Sequence, residues 1–307
     1  MLDRESTFKN PEIVKMLQEE FIPVALDQWY ERRQQDAKGQ FYRKIAAQGP
    51  RNDFEHTTQG HYVCDATGKL FGFNGNHADF SNVKKLMQKT VEDFDAASYE
   101  NVKPIERGTP DSRFDLKPPT DGLIIRVHSK ILGGYEKTEN EYDVAFQKSI
   151  GQDNLWIQAD EKTALIKAVK ENGEVPAAIA RRLARFHLFD NTRGEPPRWT
   201  TEEIESMNLK VTDGIINGSA KLKTADGTRG YEAKLYGRIE LDGDKLTRFD
   251  LVADGMHWGQ GQHTGRGPKN KFPLAVTFRL VDGAELEHQA VPFGAKGWID
   301  GYYESVE

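Results

Sequence analysis

Two stretches of the chain hold the densest sets of side chains able to do chemistry. The first is Phe186-His-Leu-Phe-Asp-Asn-Thr-Arg-Gly-Glu-Pro-Pro-Arg-Trp199. In it His187 could serve as a base, Asp190 as the carboxylate that orients it and Arg193 as an anion clamp, with Glu195 as a further carboxyl group. The same residues, set beside Gly194 and two prolines, also make up an ordered loop that satisfies its own backbone. The second stretch is Gly255-Met-His-Trp-Gly-Gln-Gly-Gln-His-Thr-Gly265. His257, His263 and Met256 are ligand types suited to copper or zinc. On a continuous strand, however, the His-x5-His spacing sets the two imidazoles on one face about 20 Å apart. Convergence requires a turn among the glycines and a third ligand, for which His128, His187 and Asp254 are the candidates. These glycines, with Gly267 beyond them, do not form a phosphate-binding loop, because no helix start follows in the required pattern.

Thiol chemistry is limited by number. Cys64 is the only cysteine in 307 residues, and a dithiol cycle needs one attacking and one resolving thiol. Flanked by Val63 and Asp65, Cys64 lies in a strand-like run with no adjacent Lys, Arg or helix start to stabilise a thiolate. It reads as a small buried hydrophobe rather than a reactive thiol. His56, His61 and His77 flank the same run and could approach one another at a sheet end, although scattered loop histidines ordinarily face solvent.

The elements that must position these groups fall into two parts with a linker between them. In the first part, residues 1–97, Asn10 caps a helix opened by Pro11 and Glu12, with Ile13, Leu17 and Phe21 at helical spacing. FIPVALD (21–27) reads as a short buried strand, and a long polar helix follows over 29–48. Trp29, Tyr30, Phe41 and Tyr42 on that helix serve packing or an interface. Tyr62–Cys64 and Leu70–Phe73 form a hairpin around Asp65-Ala66-Thr67-Gly68. A last helix, capped by Asp79 or Ser81, buries Val83, Leu86, Met87 and Phe94. Residues 98–120 contain four prolines and no periodicity, the composition of a linker.

The runs FKNPEIVKMLQEEFIPVALD and TTQGHYVCDATGKLFGFNGN, in the order helix–strand–helix–strand–strand–helix, resemble the thioredoxin-like superfamily over about the first third of the chain. The resemblance implies an α/β domain. Two departures accompany it: Thr57-Thr58-Gln59 stands where a proline is usual, and the first strand with its C-x-x-C pair would precede Met1. The gap that strand would leave in the sheet could be filled by Gly122–Val127.

The remaining part, residues 121–307, reads as an α+β domain. It opens with a strand-like run to Leu132 and helices over 138–150, 160–171 and 176–185. From 203 to 281 the apolar period becomes two, with Asp-Gly steps at 213, 226, 242 and 282 as hairpin turns, which predicts an antiparallel meander of five or more strands. The alternate residues Glu232, Lys234, Tyr236, Arg238 and Glu240 face solvent or line a cavity.

Composition bounds the function. The chain is 29% charged with a net charge of −6 and no basic stripe, which argues against a nucleic-acid partner. No apolar run is long enough to span a bilayer. The opening residues lack a signal-peptide pattern, so the expected compartment is cytoplasmic, or extracytoplasmic if the chain begins upstream. The leading expectation is a non-catalytic thioredoxin-like binding or scaffold protein with no cofactor and a protein or small-molecule ligand. A metal-handling protein or enzyme using His187, Asp190, Arg193, His257 and His263 is the first alternative. A C-x-x-C oxidoreductase whose cysteines lie upstream is the second.

Overall fold

The computed structural model describes residues 7–75, 80–96, 103, 106 and 108–304. They divide into two compact units, residues 2–116 and 117–307.

In the first unit, α1 (Pro11–Glu19) starts where Asn10 Oδ1 accepts the backbone N–H groups of Glu12 and Ile13 at 2.9 and 3.4 Å. This satisfies two donors that a helix start otherwise leaves open. Ile13 is buried with Val83 and Met87, and Met16, Leu17, Phe21 and Phe80 pack around them. Residues 21–27 do not form the expected strand; they run without turn or bend and belong to neither sheet of the described residues. The expected helix over 29–48 is interrupted, giving α2 (Gln28–Glu31) and α3 (Ala37–Ala46). Each has its own aspartate cap: Asp27 takes the N–H of Trp29, and Asp36 takes that of Gly39, both at 2.9 Å. Arg43 Nη1 then satisfies the carbonyls of Arg32 and Gln34 that the break leaves free, at 3.2 and 2.6 Å. A side-chain cap thus competes successfully with helix continuation.

The hairpin forms as β1 (His61–Cys64) and β2 (Leu70–Asn74), antiparallel with Val63 opposite Gly72. Its turn is held by Asp65 Oδ1, which accepts from the N–H groups of Thr67 and Lys69 at 2.8 and 3.0 Å. Helix α4 (Ser81–Asp93) follows, with Ser81 as its first residue and Phe80 at the cap position; Asp79 lies outside the described residues. These two strands are the whole of the sheet described in this unit.

The second unit is built on one antiparallel sheet of seven strands: β3 (Leu123–Ile131), β4 (Gly151–Ile157), β5 (Ile204–Thr212), β6 (Ile215–Lys223), β7 (Gly230–Asp242), β8 (Lys245–Trp258) and β9 (Phe272–Val281). Their order is β4-β3-β9-β8-β7-β6-β5. The meander from β5 to β9 agrees with the period-two pattern, and Asp213-Gly214, both at positive φ, make the tight β5–β6 turn. The run at 122–127 opens β3, between β4 and β9, and so is not available to the first unit's sheet. Between strands come α5 (Glu141–Lys148), α6 (Ala159–Lys170) and α7 (Ala177–His187); α8 (Ile299–Glu304) is the last described element.

One face of this sheet carries Leu209, Ile216, Leu235, Leu251, Val276 and Val127, all buried. Helix α7 lies against it, buried at Ile179, Leu183 and Phe186, and touches both edge strands, β4 and β5. The sheet therefore curls around this helix. The opposite face bears Lys234, Tyr236 and Arg238 on β7, beside Asp254, Val252 and Asp250 on β8. Both sheet edges are covered in part. Val175 N–H and Leu209 O bond at 2.9 Å on the β5 side, as do Val211 N–H and Gly173 O. On the β4 side, the N–H of Trp156 donates to the Tyr302 hydroxyl at 3.2 Å and that of Asn154 to Asp153 Oδ1 at 2.8 Å.

Candidate functional site

The loop that leaves α7 turns on Asp190, whose Oδ1 accepts from the Thr192 N–H at 3.0 Å and the Thr192 hydroxyl at 2.6 Å. This turn aims Arg193 inward, and its guanidinium pairs with Asp190 Oδ2. All three of its nitrogens are engaged. Nε donates to Gly265 O at 2.9 Å, Nη1 to the Tyr135 hydroxyl at 3.1 Å and Nη2 to Thr264 O at 2.9 Å. Asp190, Thr192, Arg193 and Thr264 are buried. The two suspect stretches of the sequence thus meet, through one arginine and two backbone carbonyls. Gly194 is required at the junction, because a Cβ there would stand 2.0 Å from the carbonyl oxygen of His263.

The meeting does not assemble the expected catalytic or metal set. His257 lies on the interior face of β8, 2% exposed, while Met256 beside it projects from the open face and His263 is exposed in the loop. Alternation along the strand sends neighbours to opposite faces, so Met256 and His257 cannot share an ion. Asp254 and His128 also belong to the open face. Glu195 is exposed and pairs with Lys296 at 3.6 Å. His187 packs on Phe278 and His257 on Phe272, six residues apart on β9, or about 20 Å along the strand. Among the described residues no three His, Cys, Asp or Glu side chains are grouped to hold a metal ion.

His257 has an unusual environment. Its ring lies 5.9 Å from that of Tyr231 and 5.2 Å from that of Phe272, and neither ring nitrogen has a hydrogen-bond partner. Burial pushes its pKa down from 6.5 to about 4; Arg229 and Arg193 add to that, and Asp190 opposes it. The imidazole is neutral at pH 7.

His187 sits in a different network. Its Nε2 is 3.3 Å from the Tyr302 hydroxyl, and its Nδ1 is 3.2 Å from Asp153 Oδ2, at an angle that misses hydrogen-bond geometry. The Tyr302 oxygen also accepts from Trp156 N–H at 3.2 Å. Burial raises the Tyr302 pKa well above 10. The carboxylate–imidazole–phenol order is one that general-base sites use. Here all three groups are buried and hold the segment after β9: Asp153 Oδ1 accepts from Phe293 N–H at 2.9 Å, and Tyr302 belongs to α8.

Sequence reasoning missed a third cluster. Arg182, fully buried on α7, forms a two-pronged pair with Glu161 at 2.6 and 2.7 Å. Its other donors reach the carbonyls of Tyr302, Trp156 and Tyr303 at 3.0, 3.1 and 2.6 Å. Arg126 and Asn154 were missed too; Asn154 Nδ2 donates to the carbonyls of Glu287, His288 and Ala290 at 2.8, 3.1 and 2.8 Å. A signal existed for Arg182, which lies in the apolar stripe Ile179–Leu183–Phe186. An arginine there must carry its partners with it.

In the first unit, His56 is exposed beside Asp53, whereas His61 lies 3.4 Å from Asn74 Nδ2 and edge-on to Phe8. His77 lies outside the described residues. Cys64 is half-buried, and burial together with the Asp65 charge raises its pKa, so little thiolate forms at neutral pH. No helix of the described residues is long and apolar enough to cross a membrane. Compared with known proteins, the chain matches no family model, no curated protein and no solved structure.

Proposed function

We propose that the chain is a non-catalytic binding protein, with a thioredoxin-type first unit that lacks the dithiol and a curled-sheet unit that meets a protein partner. The observation that carries this reading is how the second unit divides its side chains between its interior and the open face of its sheet. Asp190 and Arg193, in the loop after α7, and Glu161 and Arg182, on α6 and α7, are turned into the interior, where their polar atoms meet one another and backbone carbonyls. The open face displays Tyr236, Met256 and Ile215, exposed by 49, 40 and 41%, among Lys234, Arg238 and Asp254. Tyrosine, methionine and arginine together are the side chains that protein interfaces favour.

Two measurements test this. Purified protein supplied with dithiothreitol and a disulfide or peroxide substrate is expected to match the background rate; turnover that vanishes in Cys64→Ser would overturn the reading. A photo-crosslinking side chain at position 236 is expected to capture one partner in cells. The same group at exposed Glu171, just after α6, supplies the control. Equal background capture at both positions counts against the open face as the binding surface.

A further inference from the structure

The segment between α1 and α2 presents an apolar edge to solvent. Ile22, Val24 and Leu26 are exposed by 91, 69 and 45%. Residues 21–27 run without turn or bend, and in a β pairing these alternate side chains would share one side. Among the described residues, no backbone N–H or C=O of residues 21–26 has a hydrogen-bond partner. Both ends are nonetheless held. Phe21 packs on the Ile13–Val83–Met87 cluster, and Asp27 caps α2. The segment is thus ordered in advance for pairing, which lowers the conformational cost of association.

We infer that residues 22–26 pair, as an antiparallel strand, with the same residues of a second copy of this chain. The sequence complements itself about Val24. With Val24 opposite Val24 of the second copy, Ile22 meets Leu26 and Pro23 meets Ala25. Phe21 then faces Asp27, so no like charges oppose each other along the paired stretch. Proline fixes the hydrogen-bonding phase. If Val24 forms a hydrogen-bonded pair with its copy, the N–H and C=O groups of Ile22, Val24 and Leu26 all point across the interface. The nitrogen of Pro23, which has no proton, then points outward, the one arrangement in which a proline costs a strand no bond. A two-fold axis through the Val24 pair closes the contact, so two copies satisfy it and no chain of copies grows. The interface is small, and association is therefore reversible and concentration-dependent. This inference concerns the first unit and does not depend on the open face of the second.

Sedimentation equilibrium of the full chain, from about 1 μM to about 1 mM, tests it. The wild type is expected to shift reversibly from monomer to dimer. Val24→Lys sets two cations face to face and Val24→Pro removes the central N–H; each is expected to weaken the dimer by roughly tenfold or more. Pro23→Ala, at an outward-pointing nitrogen, is expected to leave it unchanged. Far-UV circular dichroism should be the same for all of them, because residue 24 is exposed. With Cys64→Ser as background, Val24→Cys should form an intermolecular disulfide, as the paired Cα atoms stand about 5.5 Å apart. Ala25→Cys, displaced from its own copy, should crosslink much more slowly. A monomer across the whole range, a dimer indifferent to Val24→Lys and Val24→Pro, or equal crosslinking at 24 and 25 would overturn the inference.

Discussion

The two units treat their misfit residues in opposite ways. The first leaves Ile22, Val24 and Leu26 in solvent, where apolar side chains gain nothing. The second takes Arg182, Arg193, Asp190, His187 and His257 into its interior, where charged and polar groups lose their hydration. The contrast separates two kinds of signal. An interior charge with all its donors matched reports on how a fold is clamped, whereas exposed apolar backbone reports on what the fold leaves open to others. Within the second unit the contrast recurs, since Arg182 has partners for every donor and His257 has none for either nitrogen.

Stripping the buried charge of its partner is expected to cost the second unit most. Glu161→Ala leaves the Arg182 guanidinium uncompensated and is expected to cost about 3–5 kcal/mol in urea unfolding. Glu161→Leu combined with Arg182→Met should cost much less than the single change. If the two unfold alike, the pair is not the clamp described here.

His257 gives the next largest effect, and it depends on pH. Its folded pKa of about 4 lies below the ordinary 6.5, so between those values the unfolded chain binds the proton and the folded chain does not. The stability contributed is complete above pH 6.5 and is lost as the pH falls towards 4. At pH 5 the loss is about 2 kcal/mol for a shift of this size. His257→Phe removes the titrating group and the two unpartnered nitrogens, so its unfolding midpoint should vary less between pH 7 and pH 5 than that of the wild type.

Tyr302→Phe removes one hydroxyl but leaves Trp156 N–H and His187 Nε2 without a partner. A loss of about 1–2 kcal/mol is expected, with the segment after β9 exchanging its amide protons faster than the rest of the unit. The smallest effects fall on the exposed groups. Tyr236→Ala and Val24→Lys should each change the stability of the monomer by about 0.5 kcal/mol or less, while altering the contacts proposed for them. A larger loss at either position would mean that the residue supports the fold.

What could be read in advance followed the range of the forces involved. The meander was legible because alternation along Ala233, Leu235, Gly237 and Ile239 is local, and Asn10 announced α1 within four residues. The break between α2 and α3 was not, since it turns on whether Asp36 caps a new helix or sits within an old one. Nor was the fate of residues 21–27, where an apolar run describes an appetite for burial without saying what meets it. The candidate loops were singled out for composition and do touch, yet their chemistry is absorbed by Thr264 and Gly265, contacts about seventy residues distant in sequence. The interior clamps join Glu161 to Arg182 and Asp153 to Phe293, and no local pattern carries such pairings.

The position of β9 has a consequence for how the chain reaches this state. It lies between β3 and β8, with Ile131 opposite Leu274 and Ile124 opposite Val281. On a ribosome, β3 and β4 emerge before the meander, able to form a hairpin, while β9, which joins them to it, is the last of the seven strands to be made. Until then the nascent chain holds two incomplete sheets, each with a raw edge and an uncovered apolar side. The middle of the sheet is finished last. Pairings this distant make folding slow, and the interval is when the chain is most prone to associate wrongly with its neighbours.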